Sequence, residues 1–184
     1  PGRENSVSAD LPPPFVESVQ HFPFQPTSAN TVTVSALVTT SGAALRFVEL
    51  GRETVRGTSR VTRALVSMFD DGAHNDAAAN DGIYAVQVAP EASQTLVHYW
   101  VRAEDSGGRV TVFPYDGDPS PTFAYFHYNN EINTNMTLCH LFMKPEHLAQ
   151  LSSNPTAEDY FDCSIVIDNR RPGGEIQGPI AYPH

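Results

Sequence analysis

The sequence predicts a mainly β chain built on a two-sheet antiparallel sandwich with a short strand-helix-strand appendage at its C-terminal end. Three observations lead there. Thr31-Val32-Thr33-Val34-Ser35-Ala36-Leu37-Val38-Thr39 alternates apolar and polar residues, which gives a strand one buried face. About six or seven such short runs follow one another over about 100 residues, separated by turn residues and with no helical periodicity between them. After residue 136 the pattern changes to a strand, a short helix and a strand.

Residues 1–14 read as a tether, polar at first and then stiffened by Pro12-Pro13-Pro14 into an extended conformation. Strands begin at Phe15. In the Thr31 to Thr39 run the inward set is Val32, Val34, Ala36 and Val38, with Leu37 interrupting a polar outer face. Ala44 to Leu50 and Val61 to Phe69 supply two more strands. Further along, Tyr84, Val86 and Val88 share a face, as do Val97, Tyr99, Val101 and Ala103. Turns fall at Pro90-Glu91 and at Asp105-Ser106-Gly107-Gly108. The parity of the last strand puts Trp100 and His98 on the face opposite Tyr99, as surface or packing residues.

The sandwich is expected over residues 15–113. Residues 114–135 form a connecting segment that begins with breakers, Pro114, Asp116-Gly117-Asp118-Pro119 and Pro121. Asp116 and Asp118 form a turn there or assist a cation at the rim. The aromatic run Phe123-Ala124-Tyr125-Phe126-His127-Tyr128 has two apolar faces, which makes it either a buried strand or an exposed adhesive edge. The appendage spans 136–184: a strand from Met136 to Met143, a helix that Pro145 opens and Glu146 to Leu151 continue, and a strand from Tyr160 to Ile167. Residues 168–184 are rich in Gly and Pro and read as a frayed end. So small a unit lacks a core of its own, so it must pack on the sandwich, on another copy or on a partner.

Between two strand-like runs, residues 69–84 carry the chain's densest chemistry: Asp70, Asp71, Asp76 and Asp81, with Asn75 and Asn80, bounded by Gly72 and Gly82. Two readings stand side by side. The aspartates cap turns and satisfy backbone N–H groups, as Asp-Gly sequences do. Alternatively, Asp70, Asp71, Asn75, Asp76 and Asp81 fold together around a structural cation. An oxygen-only donor set favours calcium over zinc or copper. The spacing is not that of an EF-hand, and the local alanines offer nothing to split carboxylate pKa values for catalysis.

The chain has 11 basic and 21 acidic residues, a formal charge of −10 and a pI near 5.0. With no basic face to meet phosphates, nucleic acid is excluded as an expected partner. No apolar run reaches the roughly 20 residues that span a bilayer, so membrane insertion is not expected. A start on Pro1-Gly2-Arg3 leads us to expect a processed or excised chain. Its two cysteines, Cys139 and Cys163, lie in strand-like runs, and a bridge between them would contribute roughly 3–4 kcal/mol and suit an extracellular setting; two buried thiols are the alternative. Asn135-Met136-Thr137 is an N-glycosylation triplet. Cys139, His140 and His147 make a faint zinc set. Neither a Gly-x-Ser-x-Gly elbow, nor a His-Glu-x-x-His helix, nor a phosphate-binding loop, nor a Cys-x-x-Cys pair is present, so the chain reads as non-enzymatic.

Two resemblances add to this reading. The segment from Pro12-Pro13-Pro14-Phe15-Val16 through Asp70-Asp71-Gly72, Asp76 and Asp81-Gly82-Ile83-Tyr84 to Val97-His98-Tyr99-Trp100-Val101-Arg102-Ala103-Glu104-Asp105 resembles the Ig-like or fibronectin-like modules of large bacterial secreted and surface proteins. In those modules the Asp-rich stretch recurs before a strand. Leu138-Cys139-His140-Leu141-Phe142-Met143-Lys144-Pro145-Glu146-His147-Leu148, followed by Tyr160-Phe161-Asp162-Cys163-Ser164-Ile165-Val166-Ile167, is similar to the segment that opens CotH-like spore-coat kinase regions. No phosphotransfer residues of that family can be placed here, and its glycine- and arginine-containing strand is replaced by Arg170-Arg171-Pro172-Gly173-Gly174. Together they imply an extracellular or cell-surface structural module. The aromatic run 123–128, the proline-rich start and the incomplete C-terminal part, each able to add a strand to a neighbour's edge, lead us to expect association with itself, as in a filament, or with another surface protein. The alternatives are a carbohydrate-binding module presenting Tyr99, Trp100, Tyr125 and Tyr128, and an accessory domain preceding a CotH-like kinase domain.

Overall fold

The computed structural model describes residues 11–56, 59–115, 117, 122–129, 138–143, 145–156, 160–161, 163–170 and 176–183. Most of the expected tether, Asp116 and Asp118 of the rim, and the Asn135 glycosylation triplet lie outside the described residues.

Two antiparallel sheets face each other across one apolar core. The first has the order β1-β2-β5, made of β1 (Phe15–Phe22), β2 (Val32–Thr39) and β5 (Ile83–Val88). Alternation in β2 turns Val32, Val34, Ala36 and Val38 inward, each no more than 3% exposed. Val86 and Val88 of β5 and Val16 of β1 join them. Burying a valine contributes roughly 1.5–3 kcal/mol relative to leaving it in water, so this period-two pattern sets the register.

The second sheet consists of β3 (Leu45–Arg56), β4 (Ser59–Ser67), β6 (Thr95–Asp105), β7 (Val110–Phe113) and β8 (Phe123–His127). Its order is β4-β3-β6-β7, and β8 also pairs with β6. The pairings divide the long β6 strand between two partners: Val101 to Glu104 meet β7, while Thr95 to Tyr99 meet β8. The inward residues of β6, Val97, Tyr99, Val101 and Ala103, are those the alternation singled out. Tyr125 of β8 enters the same core. Trp100 lies on the other face, as its parity requires. It stands directly opposite Gly51 of β3, and its ring lies where any side chain at 51 would go, since a Cβ there would sit 2.1 Å from the indole. The Arg63 guanidinium lies 5.1 Å from the Trp100 ring centre.

The third sheet, order β11-β10-β9, belongs to the C-terminal part: β9 (Leu138–Met143), β10 (Cys163–Arg170) and β11 (Ile176–Pro183), with α1 (Pro145–Ser153) between β9 and β10. Pro145 opens the helix and Glu146 lies in its first turn, where a negative charge meets the exposed N–H groups. Residues 176–183 are a strand rather than a frayed end. Strand β11 is the sheet's edge, the position at which a strand most readily carries prolines such as Pro179 and Pro183. The register slips between Ile167 and Asn169, opposite Gly178-Pro179.

The aromatic run is a buried strand. Tyr125 and His127 face the main core, while Ala124 and Phe126 face outward into a second apolar cluster with Leu96. Phe142 and His140 of β9 cover Phe126 at ring-centre distances of 5.1 and 4.4 Å, so the appendage packs on the sandwich. The expected bridge is corrected: Cys139 and Cys163 are free thiols. In the antiparallel pair Cys139 stands opposite Ile167 and Cys163 opposite Met143. Four register positions at ~3.4 Å each separate them by roughly 14 Å, about twice the reach of a disulfide.

Candidate cation site in loop 69–82

The loop begins where the chain passes from one sheet to the other. The Met68 N–H donates to Val48 O in the second sheet (2.9 Å), and Phe69 exchanges backbone bonds with Ala85 beside the first (2.9 and 2.8 Å). The strands on both sides are thus pinned before the acidic stretch starts. At the far end the Val38 N–H donates to Gly82 O (2.9 Å), and Gly82 adopts φ +86°, a conformation that favours glycine.

Three aspartates organise the interior. Asp70 closes the loop neck, its Oδ1 accepting from the Asp81 N–H (3.2 Å) and its Oδ2 from the Gly82 N–H (3.0 Å). Asp76 reaches back across the loop, and its Oδ2 accepts from the N–H groups of Asp71 (2.5 Å) and Gly72 (2.7 Å). Asp81 accepts from the Ile83 N–H through Oδ1 (2.9 Å). Turn capping by aspartate is therefore real in this loop.

The same bonds bring carboxylate oxygens of Asp70, Asp76 and Asp81 within 4.8 Å of one another. Asp76 is only 6% exposed, and its Oδ1 is buried without a hydrogen-bond partner. Among the described residues none forms an ion pair with these three carboxylates. At such separations each pair of charges repels by about 1 kcal/mol in water and about 4 kcal/mol at an effective dielectric near 20.

The other two expected ligands have different partners. Asp71 Oδ1 accepts from the Ala73 N–H (2.9 Å) and lies 3.2 Å from His74 Nδ1. The bond with His74 and that with Ala73 hold the Asp71 carboxyl below the usual carboxylate range. His74 itself stacks on Phe69, ring centres 4.5 Å apart. Asn75 Nδ2 donates to Thr33 Oγ1 (2.8 Å), tying the loop to β2, and Thr33 is a partner that the loop sequence gave no means of choosing. Cys139, His140 and His147 do not gather. Cys139 is exposed, His140 lies on Phe126, and His147 lies against Phe161 with ring centres 5.0 Å apart.

A second polar group, inside the core, escaped the sequence reading. His21 is 4% exposed; its Nε2–H faces Phe24 O (3.3 Å), so Nδ1 accepts from the Tyr99 hydroxyl (2.9 Å). Burial lowers the His21 pKa to about 4, opposed by the Phe24 bond. Burial likewise pushes the Tyr99 hydroxyl well above its ordinary range. Tyr99 and Tyr125 are 2% and 1% exposed, so neither presents a ring face to a glycan. The only hint of this arrangement was the parity of Tyr99 with Val97 and Val101.

The chemistry available where Asp70, Asp76 and Asp81 meet is that of hard oxygen donors. A search of curated proteins found no match to the chain. Residues 31–111, less than half of the chain, match the family model of the conditioned medium factor 2nd Ig-like domain. That span runs from the start of β2 into β7 and encloses the acidic loop, and the match together with the facing antiparallel sheets supports an Ig-like module in this part of the chain.

Proposed function

We propose that the chain is a non-catalytic interaction module of an extracellular or cell-surface protein. The observation that carries the reading is the Ig-like match over two facing antiparallel sheets. The family's name, which speaks of a factor in conditioned medium, fits a secreted setting. Among the described residues no helix is long and apolar enough to cross a membrane.

The partner is a second copy of the chain or another surface protein. Support for contact through the appendage comes from Leu141, Leu148, Leu151 and Tyr160, which are 59%, 53%, 40% and 98% exposed. The aromatic strand lends no support to self-assembly into filaments, because β6 and the appendage cover it. The same exposed residues suit an accessory role beside a CotH-like body. A membrane-impermeant cross-linker applied to intact cells, followed by mass spectrometry, tests the proposal. We expect cross-links from this chain to its own copies or to another surface protein. Recovery of the chain only from the cytosol, or cross-links only within single chains, would sink it.

A further inference from the structure

We propose that loop 69–82 binds one hard divalent cation, calcium by preference, through carboxylate oxygens of Asp70, Asp76 and Asp81. This goes beyond the interaction reading and stands or falls separately from it. The acidic cluster alone would say little, because aspartates in turns commonly serve the backbone. The second observation is Asp76: a carboxylate 6% exposed, with Oδ2 held by two N–H groups and Oδ1 buried without a partner. Buried charged oxygens are normally paired or on a metal. The missing partner of Asp76 Oδ1 and the missing counter-charge of the cluster have one common remedy, a cation among the three.

Size selects the ion. Oxygens on one calcium lie 2.3–2.6 Å from it, so two of them are at most about 5 Å apart. Ligand oxygens that all lie within 4.8 Å of one another therefore fit calcium with almost no closure of the loop. Magnesium, at 2.0–2.1 Å, limits that separation to about 4.2 Å, demands near-ideal octahedral geometry and dehydrates reluctantly, so a loop held by its own backbone bonds suits it less well than calcium. Zinc and copper favour nitrogen and sulfur donors, which this set lacks. Water would complete a coordination number of six to eight, since Asp70 is half-buried and Asp81 exposed. Asp71 and Asn75, expected as ligands from the spacing, instead brace the loop through Ala73, His74 and Thr33.

The test is calorimetric titration of the full chain, freed of metal by a chelator, with calcium chloride, and thermal melting with and without the ion. One calcium per chain and a melting temperature raised by about 5 °C or more at roughly 100-fold excess over Kd are expected. Asp81→Asn is the main variant, since an asparagine carbonyl can still accept from the Ile83 N–H while the charge is removed. It should weaken calcium about tenfold or more and leave melting in chelator unchanged or higher. Asp76→Asn should abolish the calcium shift; if it fails to fold, Asp81→Asn still decides. Absence of both heat and melting shift would overturn the proposal, and so would an equal calcium shift in wild type and Asp81→Asn. A magnesium shift as large as calcium's would overturn the choice of ion.

Discussion

His21 is a neutral imidazole between Phe24 O and the Tyr99 hydroxyl, and its burial has a consequence for stability in the acid range. Desolvation lowers its pKa from 6.5 to about 4, offset in part by the Phe24 bond. Below about pH 6.5 the unfolded chain takes up a proton that the folded chain refuses, so this group's stabilising contribution is complete above that pH and declines as pH falls towards about 4. A shift of this size corresponds to at most about 3 kcal/mol. His21→Gln, which keeps a polar side chain but cannot titrate, should show a smaller drop in denaturation midpoint between about pH 7.5 and about pH 5 than wild type. Equal drops would mean that His21 is not the sensor. The carboxylates respond separately. At Asp105 burial opposes ionisation, but bonds from Arg109 and the Gly107 N–H outweigh it and hold its carboxyl below the usual range.

At the scale of elements, β3 and β6 illustrate how pairing imposes a demand no single strand reveals. Their register sets Gly51 directly opposite Trp100, and the indole lies over the glycine with Arg63 at 5.1 Å from its centre. Gly51→Ala would place a methyl 2.1–2.4 Å from ring atoms, so the tryptophan must leave its place. Overpacking of this kind costs typically about 1–3 kcal/mol, and loss of the Arg63 contact adds to it. Urea unfolding should register that loss together with a change in Trp100 fluorescence; an unchanged midpoint would mean that the ring moves freely. Along the same face Arg102 bridges Glu49 (3.0 Å) and Glu104 (2.8 Å) while lying 4.6 Å from the Phe47 ring centre. Partly exposed ion pairs contribute about 0–1 kcal/mol each, so this network orders the outer face more than it holds the fold.

On the scale of the whole molecule, the second sheet is covered twice at its β8 end, inside by the first sheet and outside by the appendage. That double cover is the physical reason for two apolar faces in residues 123–128. Phe126 joins the two units through Leu96 and Ala124 on one side and Phe142 and His140 on the other. Phe126→Ala removes a buried ring, a change that costs about 3–5 kcal/mol in well-packed sites. The effect should be local. Amide exchange in β9 and β10 is expected to accelerate far more than in β2, whose Val32 and Val34 are fully buried in the other core. Equal acceleration in β2 and β9 would mean that the two units unfold as one.

What the sequence determined by itself was whatever is written in local alternation and turn chemistry. The inward set of β2, the parity that separates Tyr99 from Trp100, the helix opened by Pro145 and the acidic loop between two strands were all legible, because side-chain direction follows a fixed period. Of the loop, the presence of competing carboxylates could be read but not their sorting. Asp70, Asp76 and Asp81 converge, whereas Asp71 turns to His74 and Asn75 to Thr33, forty-two positions away in the chain. Pairing partners lay equally out of reach. The separation of Cys139 from Cys163, the strand at 176–183, the sharing of β6 by β7 and β8, and the burial of His21 all depend on long-range register. Local sequence fixes which face a side chain takes; only the folded chain decides what stands opposite it, since that choice is made by packing summed over both sheets.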